Sequence, residues 1–309
     1  PPGANFATTN TTVCTGAPVI FHDSSTSVPT SWLWTFPGGS PATSTFQNPT
    51  VTYNTTGTYN VKLKVTNSLG SDSVTFTNYI TVNPSPSVTV TNDSVCSGST
   101  VTLTANGATT YTWSTGATST GVNTATVSPT TTSTFTVTGT QGGCTDTAQS
   151  HVTVFPKPTL SNTTASLTQN ICTGSTLSFT PTSATTGATF TWTASCSTGL
   201  ATGFTASGSG PISDVLVNTG TITATVTYVI TATGPSPMSC VGNPTNLVVH
   251  VYTMPVTPTI TQTGATLTSS AAANNQWYLN GTAISGATGQ TTTVNGNGTY
   301  TVTVSNGPC

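Results

Sequence analysis

Short runs in which apolar and hydroxyl side chains take turns recur along this 309-residue chain, and they restrict its fold more than any motif. Val101-Thr102-Leu103-Thr104, Tyr111-Thr112-Trp113 and Thr134-Phe135-Thr136-Val137 are three of them. A period of two buries one face of a strand and leaves the other in water; no segment shows the 3.6-residue period of a helix. These runs are separated by Gly-rich turns, and the stretch that holds them opens at Cys96, carries Trp113 and closes at Cys144. Cysteine, tryptophan, cysteine on short strands is the order of a two-sheet sandwich in which the ring packs on a bridge. The frame recurs three more times with parts missing or stretched, which predicts an all-β tandem array of four sandwiches.

Three Pro-rich joints divide the array: Asn83-Pro84-Ser85-Pro86, Phe155-Pro156-Lys157-Pro158 and Met254-Pro255-Val256-Thr257-Pro258. Each proline fixes φ and favours extended backbone before it, so such joints act as semi-rigid spacers. The expected domains are 1–83, 84–155, 156–254 and 255–309, arranged as an elongated rod. At about 30 Å per domain, from strands of 8–10 residues, the array would span roughly 120 Å. Both ends read as cuts through a longer mature protein or as processed ends, with no charged leader and apolar signal region before Pro1-Pro2-Gly3.

Charged residues are 3% of the chain, against about 25% in ordinary globular proteins. Arg and Glu are absent; the cations are Lys62, Lys64 and Lys157, the carboxylates Asp23, Asp72, Asp93, Asp146 and Asp214. Threonine, roughly a quarter of the sequence, supplies the water-facing side of strands in their place. Disorder combines low hydrophobicity with high net charge, whereas here 34% of residues are hydrophobic and the net charge is -2. The composition argues against nucleic-acid binding, having no basic patch to neutralise phosphates, and against membrane insertion, having no apolar run of about 18 residues.

In the first domain, Val13-Cys14-Thr15-Gly16, Trp32-Leu33-Trp34-Thr35-Phe36-Pro37-Gly38-Gly39 and Gly57-Thr58-Tyr59-Asn60-Val61-Lys62-Leu63-Lys64-Val65 together resemble the PKD domain, an immunoglobulin-like sandwich. The family's usual Trp-x-Phe-Gly-Asp-Gly has Pro37-Gly38 in place of Gly-Asp, a variant of secreted Bacteroidota proteins. The third domain, with Ile171-Cys172-Thr173-Gly174, Phe190-Thr191-Trp192 and Thr227-Tyr228-Val229-Ile230, resembles the PKD-like repeats of such proteins. The fourth, with Gln276-Trp277-Tyr278-Leu279-Asn280-Gly281 and Gly298-Thr299-Tyr300-Thr301-Val302, is similar to immunoglobulin-like modules of type IX-secreted proteins. The resemblance implies a non-catalytic module exported to the cell surface or beyond.

Seven cysteines bear on the same point. The repeated frame predicts Cys96–Cys144 and Cys172–Cys240, bridges closing loops of about 49 and about 69 residues and each contributing roughly 4 kcal/mol in the chain-entropy model. That rivals the whole core of a small domain, about 3–5 kcal/mol, and implies an oxidising, extracytoplasmic setting. Cys196 competes with Cys240 for Cys172. Cys14 matches the first position of the frame and Cys309 the second, each without a mate in its own domain. Two readings stay open: Cys14 is a buried thiol while Cys309 pairs beyond the chain, or Cys309 of one subunit bonds Cys14 of the next in a filament.

Catalysis is not expected. His22-Asp23-Ser24 has the letters of a triad, but neighbours on a strand face opposite ways; His151 and His250 are each alone in their domains. No cofactor is expected. Calcium in the first domain would draw on Asp23 and Asp72 with backbone oxygens, whereas such sites take six to eight oxygens and several carboxylates. Trp32 would offer a platform for surface glycans only if a bulge turned it away from the face of Trp34. Asp72-Ser73-Val74, Asp93-Ser94-Val95 and Asp146-Thr147-Ala148 match a Bacteroidota O-glycosylation pattern, making Ser73, Ser94 and Thr147 the acceptors. The sum is a structural segment of a secreted or cell-surface adhesin or extracellular filament, a stalk or assembling subunit whose partners are neighbouring domains or identical subunits. The competing reading is an accessory region, polysaccharide-binding or spacing, of a large secreted hydrolase.

Overall fold

The computed structural model describes residues 1–309, which divide into two compact units, Pro1–Phe155 and Pro156–Cys309. Each unit contains two β-sandwiches, so the all-β tandem architecture read from the alternating runs is the one observed. A 3-10 turn at Thr164–Leu167 interrupts it, and no helix is long and apolar enough to cross a membrane.

The first sandwich uses β1 (Phe6–Thr8), β2 (Thr12–Cys14), β3 (Pro18–Asp23), β4 (Ser31–Thr35), β5 (Gly39–Ser40), β6 (Thr43–Ser44), β7 (Thr50–Tyr53), β8 (Gly57–Asn67) and β9 (Gly70–Asn83). One sheet runs β1-β3-β7-β5 and the other β2-β9-β8-β4-β6. The stripe Val61, Leu63, Val65 faces inward and is fully buried, while Lys62 and Lys64 between them face water. A register shift between Tyr59 and Val61 leaves Tyr59 only half-buried. Trp34 stacks on Phe36 at 5.7 Å and both are at 0% exposure, each contributing about 2–3 kcal/mol by burial. Trp32 stays on their face, half-buried against the same core, so no bulge intervenes.

The second sandwich uses β10 (Thr89–Val90), β11 (Asp93–Cys96), β12 (Val101–Asn106), β13 (Thr110–Trp113), β14 (Thr118–Ser119), β15 (Thr124–Val127), β16 (Ser133–Gln141) and β17 (Cys144–Phe155). Its sheets are β10-β12-β15-β14 and β11-β17-β16-β13. Gln141 pairs with Cys144 around Gly142-Gly143. Those glycines take φ of 56° and 83°, the two positive values that a two-residue type I′ hairpin demands.

In the second unit the third sandwich uses β18 (Thr168–Cys172), β19 (Ser175–Phe179), β20 (Thr189–Cys196), β21 (Ala201–Thr202), β22 (Ser207–Ser209), β23 (Ile212–Asn218), β24 (Ala224–Thr233) and β25 (Thr245–Tyr252). Sheets β18-β25-β24-β20-β22 and β19-β23-β21 enclose Trp192, Tyr228 and the stripe Ala224, Val226, Tyr228, Ile230. The fourth sandwich uses β26 (Ile260–Thr263), β27 (Thr266–Ser269), β28 (Asn275–Leu279), β29 (Thr282–Ala283), β30 (Thr291–Thr293) and β31 (Tyr300–Val304). Its sheets, β26-β27-β30 and β29-β28-β31, close over a fully buried Trp277. Trp113 is the one frame tryptophan left half-buried.

Candidate functional site

Three sandwiches repeat one construction at the end where the chain leaves them. β2 runs parallel to β9, β11 to β17 and β18 to β25, which sets Cys14 opposite Asn83, Cys96 opposite Phe155 and Cys172 opposite Tyr252. The next N–H then donates to the same carbonyl: Thr15 to Asn83 at 3.0 Å, Ser97 to Phe155 at 2.9 Å, Thr173 to Tyr252 at 2.8 Å. A cysteine thus stands beside the exit strand of each.

This placement overturns the expected bridges. Cys96 lies against Phe155, the last residue of β17, and Cys144 is the first residue of that strand. Eleven residues of strand put them about 36 Å apart, whereas a disulfide needs Cα atoms about 5.5–6 Å apart. Cys172 lies beside Tyr252 at the far end of β25, and Cys240 precedes the start of that strand, beyond seven residues or about 23 Å. The observed partners come from the following sandwich: Cys14 bonds Cys144, Cα atoms 5.7 Å apart, and Cys172 bonds Cys309, 5.6 Å apart. Cys96 and Cys240 are disulfide-bonded as well. The intermolecular Cys309–Cys14 link is corrected in the same way, because both sulfurs are bonded within the chain, and Cys14 is not a free buried thiol.

At the first junction, the glycine turn of the β16–β17 hairpin meets the end of β9. Asn83 Nδ2 donates to the Gly142 carbonyl at 2.5 Å, and a Cβ on Gly142 would lie 3.3 Å from Asn83 Cγ. Ser85, in the joint, exchanges hydrogen bonds with Thr15: its N–H donates to Thr15 Oγ1 at 3.1 Å and its hydroxyl to the Thr15 carbonyl at 3.2 Å. The Asp146 carboxylate accepts from the Val88 N–H at 2.8 Å, tying β17 to the incoming chain. The junction in the second unit uses other residues for the same task. Asn306 Nδ2 donates to Thr253 O at 3.1 Å and to Thr253 Oγ1 at 2.9 Å. A Cβ on Gly307 would stand 2.5 Å from Tyr252 Cε1, a contact that only glycine permits.

The remaining residues singled out in the sequence fall elsewhere. His22 is exposed and Asp23 turns the other way, its carboxylate accepting from Trp32 Nε1 at 2.7 Å, Ser25 N–H at 3.0 Å and Gln47 Nε2 at 3.3 Å. Burial would push the Asp23 carboxyl up, and the donors outweigh it and hold the group below the ordinary carboxylate value. Asp72 accepts from the Ala4 N–H at 2.9 Å. No group of three or more His, Cys, Asp or Glu side chains is placed to hold a metal ion. His151 and His250 face threonine hydroxyls, Thr134 at 3.3 Å and Thr225 at 3.2 Å. Cys196 is free; burial raises its thiol, but bonds to Thr198 and to backbone at Ala201 and Leu200 hold it below the ordinary value. Ser73 on β9 and Thr147 on β17 are exposed; Ser94 on β11 is half-buried. Sequence reasoning did not single out Asp214. It is buried and accepts from Tyr228 Oη at 2.6 Å, Thr205 Oγ1 at 2.7 Å and Thr205 N–H at 3.0 Å. Burial first, and the Asp214 carboxylate second, raise Tyr228 far above a free phenol.

Tandem two-sheet β-sandwiches with sulfur staples running from one sandwich to the next are the class this chain belongs to. Residues 1–82 match the family model described as PKD domain, and residues 169–255 the one described as PKD-like domain. The chain therefore carries PKD/immunoglobulin-like repeats, and neither match is to a catalytic family. Among solved structures it is similar to a three-immunoglobulin titin fragment, I67–I69 in an E-to-A mutated variant, at 10% identity over 82% of this chain and 99% of that one, TM-score 0.39. It is also similar to Sidekick-1 immunoglobulin domains 1–5, at 12% identity over 91% and 70% of the two chains, TM-score 0.30. A search of curated proteins returned no match. Six disulfide-bonded cysteines out of seven fit an oxidising, extracytoplasmic setting.

Proposed function

We propose that this chain is a non-catalytic structural segment of a secreted or cell-surface adhesin or extracellular filament, serving as stalk or assembling subunit. The observation that carries the reading is the sulfur staple from each unit's first sandwich to its second. Each bond ties together two modules that have cores of their own, as a segment built to hold its modules in series requires. The proposed domains are 1–83, 84–155, 156–254 and 255–309, and export by a type IX route rests on the resemblance of the third and fourth. Ser73, Ser94 and Thr147 are the proposed O-glycan acceptors, Ser73 and Thr147 being open to a transferase; an intact mass equal to the bare polypeptide would remove them.

Immunoelectron microscopy of intact source cells, with antibody to this chain, tests the role. Label along external fibres or stalks is expected. Label confined to the cell interior, or to a soluble secreted hydrolase carrying this segment, overturns it.

A further inference from the structure

We infer that the two staples route tension around the sandwiches, so that the oxidised chain bears load without any sandwich being drawn out. The inference deepens the structural role proposed above and rests on it for its biological setting, but its physics follows from covalent connectivity alone.

Tension applied at the two ends of a polypeptide follows the shortest bonded path. Here that path runs from Pro1 to Cys14, crosses sulfur to Cys144, follows backbone to Cys172 and crosses sulfur to Cys309. About 44 of the 309 residues lie on it. Residues 15–143 and 173–308, which hold the buried tryptophans and nearly all of the strands, hang on the path as closed loops. The bonds at Cys96 and Cys240 can shorten the route and cannot lengthen it. Fully extended at ~3.6 Å per residue, the oxidised route is about 150 Å long, against about 1,100 Å for the reduced chain. Force does work only through distance. The strands inside a closed loop yield no length when they open, so pulling gives them no reason to open; β1, β2, β17 and β18 lie on the path itself, and drawing out β1 and β2 releases at most about 50 Å.

The two bonded pairs serve this purpose better than the bridges expected within single domains. Cys96–Cys144 and Cys172–Cys240 would have left the first and fourth sandwiches on the load path. A bond that starts at the exit end of one sandwich and lands in the next one closes a loop around both. It does so because β2 and β18 run parallel beside the exit strands β9 and β25 and carry Cys14 and Cys172 to that end.

Single-molecule force spectroscopy on the full chain, held by handles at its two ends, tests the inference. The oxidised chain should reach a contour of about 150 Å with no sandwich-sized steps. With dithiothreitol the same molecules should lengthen roughly seven-fold, in steps of about 200–350 Å as domains of about 55–99 residues unfold. Replacing Cys14→Ser together with Cys144→Ser should restore about 400 Å of extension while the Cys172–Cys309 loop stays closed. The contour limit is topological, so it is read equally well from a variant that folds poorly. Sandwich-sized steps in the oxidised wild-type chain, or no gain from the double variant, would overturn it. A chain that resists extension but never occurs outside the cell would remove the proposed role and leave the load route standing; a fibre component that lengthens while oxidised would do the opposite.

Discussion

Removing the first staple should destabilise two sandwiches at once. Cys14 sits opposite Asn83, the last residue of β9, and is bonded to Cys144, the first of β17. Suppose the first sandwich opens while the second stays folded. Residue 14 is then held through Cys144, and residue 83 through the joint, so the open chain is a loop of about 70 residues. The chain-entropy model values that closure at about 4 kcal/mol. Suppose instead the second opens while the first holds. Asn83 and Cys14 stay side by side, and the open chain from 84 to 144 is a loop of about 60 residues, again about 4 kcal/mol. A bond between sandwiches therefore acts as an internal disulfide for each. Cys14→Ser with Cys144→Ser in the full chain should accelerate exchange of the slowest amides in both β8–β9 and β16–β17. At 1.4 kcal/mol per decade the change is a hundred- to thousand-fold. Hydrogen-exchange mass spectrometry resolves the two segments. Acceleration confined to one of them, as a bond internal to a single sandwich would give, or to neither, refutes the reasoning.

Two further outcomes follow from the carboxylates. Asp23 is held below its ordinary value by the donors around it, so its contribution to the first sandwich is present above the unfolded carboxylate range, about pH 3.9, and is lost as pH falls through the lower folded value. The melting temperature of wild type should therefore drop more steeply below about pH 4 than that of Asp23→Asn, and parallel acid titrations would sink the idea. Tyr228→Phe removes the 2.6 Å donor to buried Asp214 and should cost the third sandwich about 1.5–3 kcal/mol in urea unfolding. An unchanged midpoint would show that Asp214 is satisfied by Thr205 alone.

The strand pattern was legible because its cause is local. Lys62-Leu63-Lys64-Val65 alternates regardless of what packs on it, and the structure buries Leu63 and Val65 as that alternation requires. Trp34 and Trp277 were legible for the same reason, since a large ring in a short inward stripe has one place to go. The disulfides were not, because a Cys–Trp–Cys order does not say which strand carries the first cysteine. On an antiparallel core strand, Cys96 would have faced Cys144 across the sheets. On a strand running parallel to β17 it lies a strand length away. One signal did reach the sequence: Cys14 lacked a second cysteine in its domain and Cys309 lacked a first. Unmatched halves at opposite ends are what pairing shifted by one domain leaves behind. Asp214 was illegible for another reason, because its partners Thr205 and Tyr228 meet it only once β23 and β24 are folded into one sandwich.

The staples also answer a difficulty set by composition. Tandem modules are ordinarily held in register by apolar patches or ion pairs at their contacts, and a chain with three cations and five carboxylates has few charges to spend on either side. What it offers at the first junction, beside the part-buried Asp146–Val88 bond, are solvent-exposed hydroxyl and amide contacts such as Thr15–Ser85 and Asn83–Gly142. Each nets about 0.5–1.5 kcal/mol against water, and two or three of them barely offset the freedom a flexible joint would otherwise keep. A covalent bond at the same place turns those weak contacts into intramolecular ones at high effective concentration. In a chain with so few charges, sulfur carried to the exit end on a parallel strand therefore does the joining that ion pairs would otherwise do.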